Sequence, residues 1–139
     1  MTSAAAQQAI IAQFDLALAA YPTTKPKVQY PNRNGVDLAT QVEPYIGLDI
    51  VNITGQQLDL NPKPMSVQAG QIVITAFCKD SSGWLGAANL LDYFLPWFEL
   101  KNLSAGVRTH SAVYAKSNSA KGWEGYPLVV PFWWTRIAT

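Results

Sequence analysis

Charge is scarce in this 139-residue chain: only 14% of residues are Asp, Glu, Lys or Arg, and the formal net charge is +1. An ordinary soluble domain carries about 25%. The near-neutral balance removes the broad positive field expected of a nucleic-acid-binding surface. There is one cysteine, Cys78, so no intrachain disulfide can form. Cys78 sits in strand register with Ile72, Ile74 and Ala76 and reads as a small buried hydrophobe. There is one histidine, His110, so no His/Cys metal cluster can be assembled. No Lys or Arg precedes Lys25, so the N-terminus lacks the basic region of a secretory signal. The longest apolar run, Tyr126 to Trp134, contains two prolines and falls far short of the ~20 residues of a membrane helix. These absences point to a soluble protein of a reducing cytoplasm, with no membrane contact.

What is present is aromatic. Phe, Trp and Tyr make up 12% of the chain, five of them Trp. Interface cores are poor in charge and rich in Trp, Tyr, Phe and Arg, so the composition suggests a surface covered by a partner. The length fits a single domain over residues 1–139.

Ser3 to Ala20 has a helical stripe of Ile10, Phe14, Ala17, Leu18 and Tyr21, with Ser3 as N-cap and Pro22 as stop. A short extended piece follows at Lys27 to Asn32, and Asn34-Gly35 marks a turn. Tyr45 to Thr54 alternates as a strand, with Ile46, Leu48 and Ile50 on one face and Tyr45, Asp49, Val51 and Ile53 on the other. Gly55 to Gly70 holds two prolines and two glycines without periodicity and reads as an irregular arm. Gln71 to Lys79 is another alternating strand. A second helix is expected from "DSSGWLGAANLLDYFLPWFE", capped by Asp80, Ser81 or Ser82 and ended or kinked by Pro96. Two strands close the chain, about Val107 to Lys116 and Leu128 to Ile137, joined by the polar loop "SNSAKGWEG". The expected fold class is α+β: one largely antiparallel sheet of about five strands with two helices packed on it, in the order α-β-β-β-α-β-β.

No nucleophile elbow, phosphate loop or complete dinucleotide fingerprint is present. "SGWLG" at Ser82 to Gly86 reads as an ordinary strand–helix turn. His110 has no catalytic partner in sequence register and reads as a surface or interface residue. Asp92 and Glu99 could share a helix face but read as a solvated edge rather than an acid–base pair. Lys25, Lys27 and Arg33 cluster near Tyr30, an arrangement single-strand binders use, yet Asp37 and Glu43 follow closely. Trp123 and the Trp133-Trp134 pair are harder to absorb. Strand neighbours face opposite ways, so the pair cannot both lie under one helix layer. The Phe132 and Trp134 set is the better candidate for that layer.

Four strings carry a family resemblance: "VQYPN" followed by "PYIGLDI", then "AGQIVITAFCKDSSGWLGAANLLDYFLPWF", then "GYPLVVPFWW". Together they resemble the tail terminator (tail completion) proteins of long-tailed bacteriophages and related small phage proteins of unknown function. The resemblance implies a non-enzymatic subunit of a ring, typically a hexamer, that caps the tail tube, stops its polymerisation and prepares head joining. It implies no cofactor. Its implied partners are copies of itself, a tail-tube protein and a head-completion or neck protein. Its implied location is the neck end of the virion tail, after assembly in the bacterial cytoplasm. Other neck-joining proteins are the alternative, and a single-stranded nucleic-acid module a more distant one. The residues best placed for subunit contact are Arg108, Tyr114, Trp123, Trp133 and Arg136, with the 55–70 arm.

Overall fold

A computed structural model describes residues 3–31, 41, 43–57, 65–79, 84–120 and 122–137. Helix α1 spans Ser3–Ala19 and helix α2 spans Leu85–Phe98. The strands are β1 (Val28–Gln29), β2 (Tyr45–Gln57), β3 (Met65–Lys79), β4 (Arg108–Thr109), β5 (Val113–Tyr114), β6 (Asn118–Ala120) and β7 (Trp123–Ile137). They form one sheet in the order β1-β2-β3-β7-β4, with β5 and β6 also paired to β7. All pairings are antiparallel except β1 with β2.

The α+β class and the mostly antiparallel sheet follow the sequence pattern, while the count of about five strands is corrected to seven. The difference lies at two ends of the sheet. The irregular arm expected over 55–70 is strand at both ends, since β2 runs to Gln57 and β3 starts at Met65. Residues 58–64, with the prolines that hid the pairing, lie outside the described residues. The expected strand at Val107 to Lys116 is an edge broken into β4, β5 and β6. The "SNSAKGWEG" stretch is a tight hairpin rather than a loop: Ala120 pairs with Trp123 around Gly122, whose φ of 80° suits glycine.

Two prolines explain the broken edge. Arg108 pairs with Trp133, Val113 with Val129 and Asn118 with Gly125. Each step therefore takes five residues on the edge against four on β7 (108 to 113 against 133 to 129, and 113 to 118 against 129 to 125). Each extra residue is a bulge. The amide of His110 donates to the Pro131 carbonyl (2.9 Å) and that of Ala115 to the Pro127 carbonyl (3.0 Å). N and O of one strand residue face the same side, so both prolines turn their missing N–H towards this edge. No return bond can form, and the ladder steps out of register after each proline. The His110 carbonyl instead accepts from the Leu100 amide at 3.3 Å.

Both helices cover one face of the sheet. Ile10, Phe14 and Ala17 of α1 and Leu91, Phe94 and Phe98 of α2 are buried against Ile46, Ile72, Ile74, Leu128, Val130, Phe132 and Trp134. Phe14 stacks on Phe94 with centroids 4.9 Å apart, and the Tyr93 hydroxyl donates to the Ala17 carbonyl at 2.5 Å. The Phe132 and Trp134 set is thus the helix-covered one, and Cys78 is buried beside it. Ser3 is the first described residue of α1, and α2 starts at Leu85 without a side-chain cap. Asp80, Ser81 and Ser82, the expected caps, lie outside the described residues. Pro96 sits within α2 rather than ending it. Placed in the last turn, it forfeits only the bond from its own nitrogen, and the Glu99 amide still reaches the Leu95 carbonyl at 2.9 Å.

Candidate functional site

The other face of the sheet carries no helix among the described residues. Its rungs run across β2, β3, β7 and the broken edge, as the registers dictate: Tyr45, Phe77, Gly125 and Asn118; Asp49, Val73, Val129 and Val113; then Val51, Gln71 and Pro131. His110 joins the last rung through its bond to Pro131. Val73, Val129, Pro131 and Trp133 remain half-buried, while Val51 (41% exposed) and Val113 (60% exposed) are open. Alternation places these apolar side chains here. Ile46, Leu48, Ile72, Ile74, Ala76, Leu128, Val130, Phe132 and Trp134 are committed to the helices, and the residues between them are still mostly Val, Pro, Thr and aromatic.

One end of this face is sealed by its own aromatics. Tyr45 stacks on Phe77 (4.6 Å) and meets Trp123 edge-on (5.0 Å), with the Lys79 ammonium 5.7 Å from the Trp123 ring. Burial pushes the Tyr45 phenol above its usual range. The other end carries Trp133, with the Arg108 guanidinium 5.4 Å from its ring centroid. Such a contact holds a long cation flat against the sheet.

Of the five residues expected at an interface, the fold brings Arg108 and Trp133 together on the open face. Trp123 shares that face, but ten residues along β7, and is buried rather than set in a polar loop. Tyr114 faces the helix side, where its hydroxyl donates to Asp92 on α2 at 2.7 Å. Arg136 pairs with Ser66 through its backbone, and its side chain lies outside what is described. Asp92 and Glu99 are not a free helix edge. Asp92 holds Tyr114, and Glu99 accepts the Ala112 amide at 2.7 Å, inside the first bulge. Thr109 ties the same edge to α2, accepting from the Lys101 amide at 2.7 Å and donating to the Phe98 carbonyl. The signal for these anchors was the acidic pair itself, at a spacing that puts both groups along one side of α2.

The aromatic platforms of a nucleic-acid reading are occupied. Tyr30 donates to Asp15 (2.7 Å) and packs edge-on against Phe14, and Trp123 is buried. Lys25 and Lys27 open onto a cleft of about 750 Å³ that Glu43, Gln41 and Asn89 share, so its lining is of mixed charge. Arg33 lies outside the described residues. No group of three or more potential metal ligands occurs among the described residues, and no described helix is long and apolar enough to cross a membrane.

No protein-family model and no curated protein matches the sequence. Solved structures do share the fold. One, whose name states no function, aligns over 100% of this chain and 99% of its own at 13% identity and a TM-score of 0.64. Another, a chain from the virion of a native gene transfer agent (GTA) particle, aligns over 97% of this chain and 100% of its own at 16% identity and a TM-score of 0.61.

Proposed function

We propose that the chain is a non-enzymatic structural protein of a phage or phage-like particle. It assembles head-to-tail into a ring, a hexamer, on the end of a tail tube. The ring ends tube polymerisation and offers a surface to the head-completion or neck protein. The observation that carries this reading is the end-to-end likeness of fold to a chain of a gene transfer agent virion. The sequence resemblance to tail terminators gives the likeness its direction. The helix-free face adds a physical reason, because a ring needs surface outside the monomer core.

Two measurements test it. Native mass spectrometry of the chain, with and without tail-tube protein, should find a closed oligomer on the tube end. Electron microscopy of particles from a deletion phage should find overlong tails. Tails of normal length that lack heads would assign the chain to neck joining instead.

A further inference from the structure

Within the ring reading, we infer which surfaces of neighbouring copies meet. The Val113–His110–Arg108 margin of one copy docks on the Gly47–Asp49 margin of the next. The two margins lie on the same helix-free face towards opposite sides of the sheet, the second on β2 just inside the short β1, whose Gln29 pairs with Gly47, and each carries what the other lacks.

On the β2 margin, Gly47 leaves a shallow groove of about 360 Å³ between Tyr30, Thr75, Val73 and Phe77. A Cβ on Gly47 would lie 3.2 Å from the Phe77 ring, so the bare backbone is what keeps the groove open. Asp49 follows one rung along and is exposed. On the far margin Val113 protrudes, 60% exposed, although it is a β-branched residue in a sheet. One rung along from it stands His110, and one further Arg108, both exposed. The spacings match. Setting a neighbour's Val113 into the Gly47 groove, a stagger of one rung or ~7 Å, puts that neighbour's His110 over Asp49. Arg108 is then one rung away with a side chain long enough to reach back. An apolar knob thus meets a groove walled by Tyr30, Val73 and Phe77, and the Arg108 guanidinium and His110 imidazole meet a carboxylate.

Both margins belong to one chain, so the contact is heterologous and can repeat around a ring. Side chains rather than strand addition must carry it. The far edge is bulged twice, and on the β2 edge the Ile50 amide is already taken by the Asp49 carboxylate at 2.9 Å. The contact also explains why so little charge suffices: each copy needs one acidic and one basic margin, not a charged surface.

Cysteine cross-linking of the full chain tests this. Asp49→Cys with His110→Cys in the same chain, treated with a short bifunctional thiol reagent in purified protein and in purified particles, should give a ladder of multimers that closes at the ring size. Either substitution alone should give none, and Cys78, being buried, provides no background. Dimers from a single substitution would mean an isologous contact and overturn the proposal. A ring by mass without the 49–110 ladder would overturn it while leaving the ring reading intact. A chain that stays monomeric in both preparations would overturn both. In parallel, Val113→Asp should weaken ring assembly at least about tenfold, because it sets a carboxylate beside Asp49 of the neighbour. The thermal midpoint of the monomer should not move, since Val113 is exposed.

Discussion

Trp133 and Trp134 are chemically identical and adjacent, yet they belong to different environments. Trp134 is 2% exposed under the helices and stacks on Phe132 at 5.6 Å. Trp133 stands half-buried on the helix-free face with the Arg108 guanidinium over its ring. The pleat of one strand separates a residue that holds the monomer together from one available to hold copies together. The two faces differ in the same way across the centre of the sheet. The helix face is sealed from α1 to β7, whereas the open face keeps valines and prolines half-covered across its centre. A chain with few charges can be both stable and adhesive when its sheet is two-faced in this manner.

The largest expected effect comes from the sealed face. Trp134→Ala should destabilise the monomer by about 3–5 kcal/mol, the usual cost of emptying an aromatic core site. Chemical denaturation would read it, and a loss below about 1 kcal/mol would mean that Trp134 is not part of the helix-covered core. The Trp134 indole N–H is buried without a hydrogen-bond partner among the described residues. Trp134→Phe, which removes that orphaned donor and keeps most of the ring, should therefore cost clearly less than the alanine variant.

Glycines sharpen the comparison. Gly70 faces the helices, where an added Cβ would lie 2.3 Å from the Val51 carbonyl and 2.8 Å from the Phe132 ring. The β2–β3 register shifts just beyond that carbonyl, between Asn52 and Thr54. Gly125 faces the open side, where a Cβ would meet only side chains, at 3.0–3.1 Å from Phe77, Asn118 and Thr75. Backbone cannot step aside as side chains can. Gly70→Ala should thus cost about 1–3 kcal/mol or more, and Gly125→Ala measurably less. Equal costs in thermal melts would remove the distinction between a rigid and a yielding face.

These contrasts show what was legible in the sequence. Period-two alternation in β2, β3 and β7 was enough to separate the faces, and the more continuous apolarity of the Phe132 and Trp134 set, not the alternation, favoured it for the helix layer. The helical stripe of α1 was equally plain. Trp123 was misread because its neighbours, Lys121, Gly122 and Glu124, look like loop. A two-strand hairpin needs only one such turn, and burial of Trp123 depends on Tyr45 and Phe77, distant in sequence. The bulged edge was illegible for a related reason. A bulge is a property of register between two strands, and no single segment encodes it. Pro127 and Pro131 did carry a hint. Four residues apart in one strand, they must turn their missing donors to the same side. Asp92 and Glu99 looked like solvent-facing charges because their partners, Tyr114 and the Ala112 amide, lie on another element.

Trp133→Ala is the counterpart of the first prediction. The ring is only half-buried, so its loss should cost about 1 kcal/mol or less in the monomer, in line with the modest worth of a partly exposed cation–π contact. Assembly should weaken much more, because the substitution frees Arg108 and leaves its margin without a platform. A monomer loss approaching that of Trp134→Ala would show that the open face is closed within the chain. Unchanged assembly would remove Trp133 from the subunit contact.

The smallest effect concerns how the broken edge is held to α2. The Tyr114 phenol is pushed up to about 12, by burial first, then by its hydrogen bond to Asp92 and by the negative charges of Asp92 and Glu99. The neutral phenol is therefore the form the fold favours. Whatever this staple contributes is fully present below the ordinary value of 10.0 and is lost as pH rises through about 12. Near-ultraviolet titration should find two of the six tyrosines raised, Tyr45 by burial and Tyr114 as a late step at about 12. Tyr114→Phe should abolish that late step, and Asp92→Asn should bring it back towards the normal range. Because Tyr114 is 52% exposed, neither change should move the thermal midpoint at neutral pH by much. If Asp92→Asn leaves the late step in place, the edge is not held by this bond. The open face would then rest on a margin freer to shift than the helix-covered one, and the rung-by-rung match between Val113, His110 and Asp49 would lose the rigid edge that it requires.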